Sequence, residues 1–451
     1  MPIPMPELTY SKVNRDILRT LETPGKTYYT VLALVLAVLG FGVYCWLQQI
    51  YMGLGVAGYT LPVFWAVYIT NFVFWVGIGH AGTLISAILY LFRARFRTPI
   101  YRSSEAMTIF AVMTAGLFPL IHLGRTWFFY WLMPYPNQRG LWPNFRSPLI
   151  WDVFAVGTYF TVSSMFFFLG LIPDIAVIRD KARGLRRRVY AWLSLGWQGT
   201  DRQWRHFNSA YLFFAAFATP LVISVHSVVS WDFAMALLPG WHSTIFAPYF
   251  VAGAIHSGIA MVITLLIPMR KLLRLDEFLE QHHFESLAKI LILTGLIVSY
   301  SYGIEFFIAW YSGNPFEWGT FVNRATGDFA PYFWMMVAFN CLAPMLFMFK
   351  KLRVSTFWLI FISVLVNVGM WLERFVIIAG SLSHAFDPAV WKGVYRMTWV
   401  EVGITAGSFA WFFTLFLIFI KLFPAVSMTE VKEALPAPSA GVAREPEGAL
   451  P

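Results

Sequence analysis

Charge is scarce in this chain. Asp, Glu, Lys and Arg make up 12% of its 451 residues, against about a quarter in a soluble globule. Hydrophobic residues fill 58% and aromatics 19%, which excludes an ordinary soluble enzyme. Cysteine is scarce too. The two present, Cys45 and Cys341, each sit in an apolar run with no Cys-x-x-Cys spacing. Two thiolates do not complete an iron–sulfur or structural zinc site, so both read as packing residues. The formal charge of +10 raises the question of nucleic acid, but its distribution is that of membrane topology and no nucleic-acid partner is expected.

What the chain has is long apolar runs. A span needs about 20 apolar residues, and ten segments qualify: 28–50, 62–92, 103–131, 148–178, 205–235, 246–270, 287–312, 330–350, 354–380 and 400–424. The expected fold is therefore an all-α polytopic membrane protein. No small-residue cleavage site follows the first run, which reads as a retained helix and not a signal peptide. Lys and Arg crowd into alternate connections, such as "RARFRTPIYR", "RDKARGLRRRVY" and "KKLR", and are few in the others. By the positive-inside rule both termini are cytoplasmic. The segment 1–27 is then a cytoplasmic lead-in, and 425–451, with its "EALPAPSAGVAREPEGALP", has a disordered composition. The basic connection between spans 4 and 5 also suits anionic lipid headgroups. The outward connections are rich in Trp, Pro and Gly, as in "WLMPYPNQRGLWPNFRSP" and "LLPGWHSTIFAP". Two readings stay open for them: an interfacial belt, or a surface that another protein covers.

An internal repeat organises the spans. "GIGHAG" (77–82) in span 2 matches "GAIHSG" (253–258) in span 6. "GLFPLIHLG" (116–124) matches "GLIVSYSYG" (295–303), and "SPLIWD" (147–152) matches "APYFWM" (330–335). The order and spacing predict two parallel four-helix bundles, 62–235 (spans 2–5) and 246–380 (spans 6–9). Spans 1 (28–50) and 10 (400–424) flank them. His80 and His256 occur in both halves and read as packing or hydrogen-bonding residues. His122 falls opposite Ser301, Asp152 opposite Met335 and Arg125 opposite Ile304. Residues held by one bundle alone point to a task done once.

In "GLFPLIHLGRTWFFYW" (116–131), a helix through 131 puts His122 and Arg125 on one face. Intramembrane ionisable residues are costly and are functional candidates by default. His122 lies about nine residues, roughly 14 Å, before the outer end of its span. Asp152 lies about one turn into the next. An imidazole and a carboxylate facing one apolar cleft suit oxidation of a hydroquinone, whose hydroxyls each need a proton acceptor. Arg125 would hold the carboxylate ionised or polarise a quinone oxygen; the bland alternative is a buried group of ions fixing helix register. Asp232, in "SVHSVVSWDFA", borders the same pocket or is a solvated interface residue. Glu305, Tyr302, Glu373 and Arg374 form a possible proton path, although structural pairing is the simpler reading. Glu373 and Arg374, being sequence neighbours, are each expected to need a separate partner. His80, His122, His226 and His256 stand on four spans, and none shows the paired spacing of a twin-haem helix. No metal site, haem or iron–sulfur cluster is expected in this chain, so electrons would leave to a partner docked on the outer face.

The paired Gly-x-x-His-x-Gly motifs, His122, Asp152 and the stretch "SVHSVVSWDFAMALLPGWHSTIFAPYFVAGAIHSG" resemble the NrfD/polysulfide-reductase membrane-subunit family over about residues 28–424. More narrowly they resemble the quinol-oxidising membrane subunits of bacterial alternative complex III. The resemblance implies an electron-transport subunit of the bacterial cytoplasmic membrane, with menaquinol or ubiquinol as substrate near the periplasmic face. His122 and Asp152 match that family's quinol-site pair, and Asp232 a further acidic residue. Implied partners are an iron–sulfur subunit on the periplasmic side, c-type cytochrome subunits and a related ten-span subunit. Other readings are a quinone-linked polysulfide- or nitrite-type reductase, a secondary transporter, or a structural anchor for cytochromes.

Overall fold

The computed structural model describes residues 8–133, 147–384 and 395–435. Most of the outward stretch between spans 3 and 4, and the tail beyond residue 435, lie outside the described residues. Ten helices are long and apolar enough to cross a membrane, and no β-strand occurs among the described residues. We number them α1 (Lys26–Met52), α2 (Val67–Leu91), α3 (Tyr101–His122), α4 (Pro148–Lys181), α5 (Asp201–Ala234), α6 (Phe246–Leu272), α7 (Gln281–Tyr311), α8 (Ala330–Met348), α9 (Thr356–Gly380) and α10 (Trp399–Leu422). The chain is a multi-pass membrane protein. An even number of crossings brings both chain ends to one face, called here the terminal face.

Without water, lipid-embedded helices associate through close packing and polar contacts, so small residues mark their tightest crossings. The central helix is α2, buried along nearly all of Val67–Thr83. It packs on α3 and, across the repeat, on α6. Gly258 of the second His motif makes that crossing possible: a Cβ there would lie 2.4 Å from the Ala81 Cβ and 2.9 Å from the Ile78 carbonyl oxygen. Helices α1 and α10 pair through Gly42 and Gly407, where a Cβ on Gly42 would meet the Gly407 Cα at 2.4 Å. The repeated Gly-x-x-His-x-Gly motif is thus a packing device. Its histidines are fully buried: His80 Nδ1 lies 2.6 Å from the Val76 carbonyl oxygen, and His256 Nδ1 lies 2.8 Å from Thr294 Oγ1.

Two boundaries depart from the sequence expectation. Helix α3 stops at His122 instead of running to 131. Pro119 sits in its last turn, and Gly124, at φ +68°, supplies the left-handed residue that ends helices. The Leu54 side chain occupies the space of a Gly124 Cβ, 2.5 Å from it. Residues Thr126–Leu132 then form a 3₁₀ turn presenting Trp127, Phe129, Tyr130 and Trp131 outward. The second departure is the tail. Its first residues are ordered, not disordered: Ala425, Val426 and Met428 are buried, and a short helix spans Met428–Glu433. Polar partners hold it beneath α3 and α4, as described below.

Gly258→Val should overpack the α2–α6 crossing and destabilise the fold by about 2 kcal/mol. The expected outcome is a lower thermal midpoint of the detergent-solubilised protein, while Gly303→Ala, where a Cβ meets nothing within 4 Å, leaves it unchanged.

Candidate functional site

Helices α1, α3 and α5 end, and α2, α4 and α10 begin, at the face opposite the termini, where the candidate residues gather. His122 is the last residue of α3 and is half-buried. Its Nδ1 lies 3.1 Å from the hydroxyl of Tyr59, in the α1–α2 connection, with the two rings edge to face at 5.9 Å. Tyr59 meets Tyr68 of α2 edge-on at 5.9 Å. The Tyr68 hydroxyl donates to Gln49 Oε1 of α1, and Gln49 Nε2 donates to the Ile121 carbonyl at 2.7 Å. Three chain segments therefore clamp the turn that carries His122. The Tyr59 connection is itself pinned: Gly58 N–H donates to Glu401 Oε2 at 2.9 Å, and Tyr395 donates to Glu401 Oε1 at 2.6 Å. A Cβ on Gly58 would sit 1.9 Å from the Arg396 carbonyl oxygen, so only glycine fits.

Asp152 sits in the second turn of α4, which Pro148 opens, and is buried. It pairs with Asp232 near the end of α5, carboxyl to carboxyl. Two carboxyl groups hydrogen-bond only when at least one of them carries a proton. Oδ1 of each has no other partner. Trp151 and Trp231, the residues before the two aspartates, meet edge-on at 6.0 Å. The recurring Trp-Asp dipeptide was a visible sequence signal for this pairing. Among the described residues His122 is partnered by Tyr59 and Asp152 by Asp232. Helices α3 and α4 pack side by side, so the two pairs lie on adjacent helices at one face. Arg125 lies past the end of α3, with φ −92° and ψ 88°, and is exposed. It therefore does not share a helical face with His122.

In the second half Glu373 and Arg374 are buried and contact each other directly, correcting the expectation of separate partners. Extended side chains on neighbouring positions meet above a backbone that relaxes into a π-turn at Val376–Gly380. The Tyr302 hydroxyl donates to the other Glu373 oxygen and accepts from Asn340 at 2.8 Å. Arg374 also covers the Phe250 ring. Glu305 is buried with Oε1 unpartnered, whereas Tyr300 is exposed and lies off this cluster. His226, fully buried, packs 4.6 Å from His80, and neither of its nitrogens has a partner.

Sequence reasoning missed a buried ionic cluster at the terminal face. Arg102 of α3 is fully buried and donates to Asp174 of α4 at 3.1 Å and to the Gly170 carbonyl at 2.7 Å. The tail closes over it: Thr429 donates to Asp174 from N–H and hydroxyl at 3.1 and 2.8 Å, and Arg97 pairs with Glu430 at 2.8 Å. Glu105 is buried beside them with both carboxyl oxygens unpartnered. The visible signals were Asp174 within the apolar run of "LIPDIAV" and Glu105 near the start of the third run.

Ten apolar spans, with ionisable pairs gathered at a few helix ends, define an all-helical polytopic membrane protein. A family model described as "Polysulphide reductase, NrfD" matches residues 55–384. The chain belongs to the NrfD family. It is 28% identical over 417 residues to a Halobacterium salinarum protein named as a membrane subunit of dimethyl sulfoxide reductase, covering 87% of this chain and 90% of the relative. It is 20% identical over 436 residues to the Hdr-like menaquinol oxidoreductase integral membrane subunit of Archaeoglobus fulgidus, covering 92% and 98%. A selenate reductase subunit from Mesobacillus selenatarsenatis is 22% identical over 249 residues, or 53% and 56% of the two chains. Among the described residues no three His, Cys, Asp or Glu side chains converge as metal ligands.

Arg102→Met should leave Asp174 buried without its cation and cost about 3 kcal/mol, read as a lower thermal midpoint. Combining it with Asp174→Asn should restore part of the loss.

Proposed function

We propose that this chain is the quinol-oxidising membrane subunit of an electron-transfer complex of the alternative complex III type. It binds menaquinol or ubiquinol near the periplasmic face and passes electrons to an iron–sulfur subunit. The observation that carries the reading is two units able to exchange protons at one membrane face: His122, engaged through Nδ1 alone, and the paired carboxyl groups of Asp152 and Asp232. Quinol oxidation releases two electrons and two protons. The imidazole takes one proton at Nε2, and the carboxylate of the aspartate pair takes the other. Both acceptors sit in low-dielectric surroundings, where a charge left on the quinone oxygen is costly; proton and electron therefore leave together. Arg125, exposed past the end of α3, contributes by drawing the polar headgroup toward the site.

Exposed surfaces support the proposed partners. The exposed aromatic turn Trp127–Trp131 directly follows His122 and suits a covering periplasmic iron–sulfur subunit, beyond which c-type cytochromes continue the electron path. The lipid-facing sides of α1 and α7 suit a related ten-span subunit. Tyr302, Glu373, Arg374 and Glu305 are the proposed proton path of the second bundle. By the distribution of basic residues, the terminal face is cytoplasmic in the bacterial inner membrane.

A second reading is favoured by two of the relatives, named for dimethyl sulfoxide and selenate reductases. In it the same quinol site feeds a reductase of a small oxo-compound, and the co-purifying subunits distinguish the two. Either way, His122→Leu in membranes with the complex assembled should lower quinol-to-acceptor turnover a hundredfold or more, about 3 kcal/mol, and Asp152→Asn should lower it at least about tenfold. Near-normal turnover in His122→Leu would remove the proposed site.

A further inference from the structure

We infer that Tyr59 is a positioning and proton-relay residue for His122, selecting its tautomer and carrying the proton away from Nδ1 toward the outer aqueous face. The inference rests on the quinol reading above, but its observations are separate. Tyr59 belongs to neither bundle; it stands in the connection between α1 and α2, with its hydroxyl 3.1 Å from His122 Nδ1. It is held there from three sides. Tyr68 packs edge-on against its ring, Glu401 anchors the preceding Gly58, and Gln49 ties the helix turn below His122. The Tyr68 hydroxyl is committed to Gln49, so it does not compete for His122.

The contact between Tyr59 and Nδ1 allows two tautomers. If the phenol donates to Nδ1, the proton of neutral imidazole sits on Nε2, and that nitrogen takes nothing from a substrate. If Nδ1–H donates to the phenol oxygen, Nε2 presents a lone pair. Quinol oxidation needs the second arrangement, and the Tyr59 oxygen is the acceptor that stabilises it. The transfer then balances. The quinol O–H breaks as Nε2–H forms, and its electron passes to the iron–sulfur partner. Nδ1–H breaks as a new O–H forms on Tyr59, while the original phenol proton goes to water at the outer face. Burial, with Tyr68 and Glu401 nearby, holds the phenol well above its usual range, so Tyr59 remains an O–H and exchanges protons without ionising. Being half-buried in a connection at that face, it has a way out to solvent.

Tyr59→Phe keeps the ring and its contact with Tyr68 and removes only the hydroxyl. In membranes carrying the assembled complex, its kcat for quinol should fall about tenfold or more, as for loss of a partner that orients a functional histidine, with KM within about twofold. A site-specific fluorotyrosine, which keeps the hydroxyl, should restore turnover to within about threefold. Turnover of Tyr59→Phe within about twofold of the parent, while His122→Leu is inactive, would overturn the role of Tyr59 and leave the quinol site standing. A raised KM with unchanged kcat would make Tyr59 a binding contact and overturn the relay, as would a fluorotyrosine chain no faster than the Phe variant. Full activity of His122→Leu would instead remove the quinol site itself.

Discussion

An unpartnered polar group in hydrocarbon costs several kcal/mol, and this constraint accounts for the best-paired charges in the spans. Where a charge has found its counter-charge and hydrogen bonds inside the bundle, it serves architecture. Arg102 with Asp174 is of this kind. Their worth lies less in net stability than in the penalty for any packing that separates them. The tail obeys the same rule. A segment whose composition suits disorder is ordered as far as residue 435, where Thr429 and Glu430 complete the partners of Asp174 and Arg97.

A smaller set of groups has only half of its hydrogen-bonding capacity met. His122 is engaged at one nitrogen, and Asp152 and Asp232 share one contact with an oxygen left over on each. A site that must gain and lose protons cannot be fully satisfied in its resting state, since a saturated group has no place for the incoming proton. These residues gather at the face opposite the termini, where α3 and α5 end and α4 begins. Helix ends permit this because their backbone groups are already open and the chain is free to turn. The early stop of α3 at His122 is therefore part of the proposed site. A helix continued to 131 would carry Arg125 on the imidazole face and leave no place for the Tyr59 connection.

The Gly-x-x-His-x-Gly motifs show how one pattern carries architecture in both halves. Their glycines let α2 and α6 touch, and their histidines are bonded within their own neighbourhood. Symmetry thus builds a common scaffold, and departures from it, His122 opposite Ser301 and Asp152 opposite Met335, are where the proposed chemistry lies.

The sequence by itself determined the membrane class and ten spans, because a run of about 20 apolar residues is a local property that no tertiary contact reverses. It also marked His122, Asp152 and Asp232, since ionisable residues stand out against such runs, and the family likeness followed from motifs equally local. Which groups meet was decided only by the tertiary structure. The partner of Asp152 is Asp232, on another helix and far along the chain, and the partner of His122 comes from a connection that carries no motif. Tyr59, Tyr68 and Gln49 look like ordinary interfacial and span residues until three segments converge on the end of α3. The end of α3 was itself legible in Pro119 and Gly124, but apolar residues beyond it extended the apparent span. Hydropathy registers transfer into the membrane, and it is blind to the left-handed turn that stops the helix.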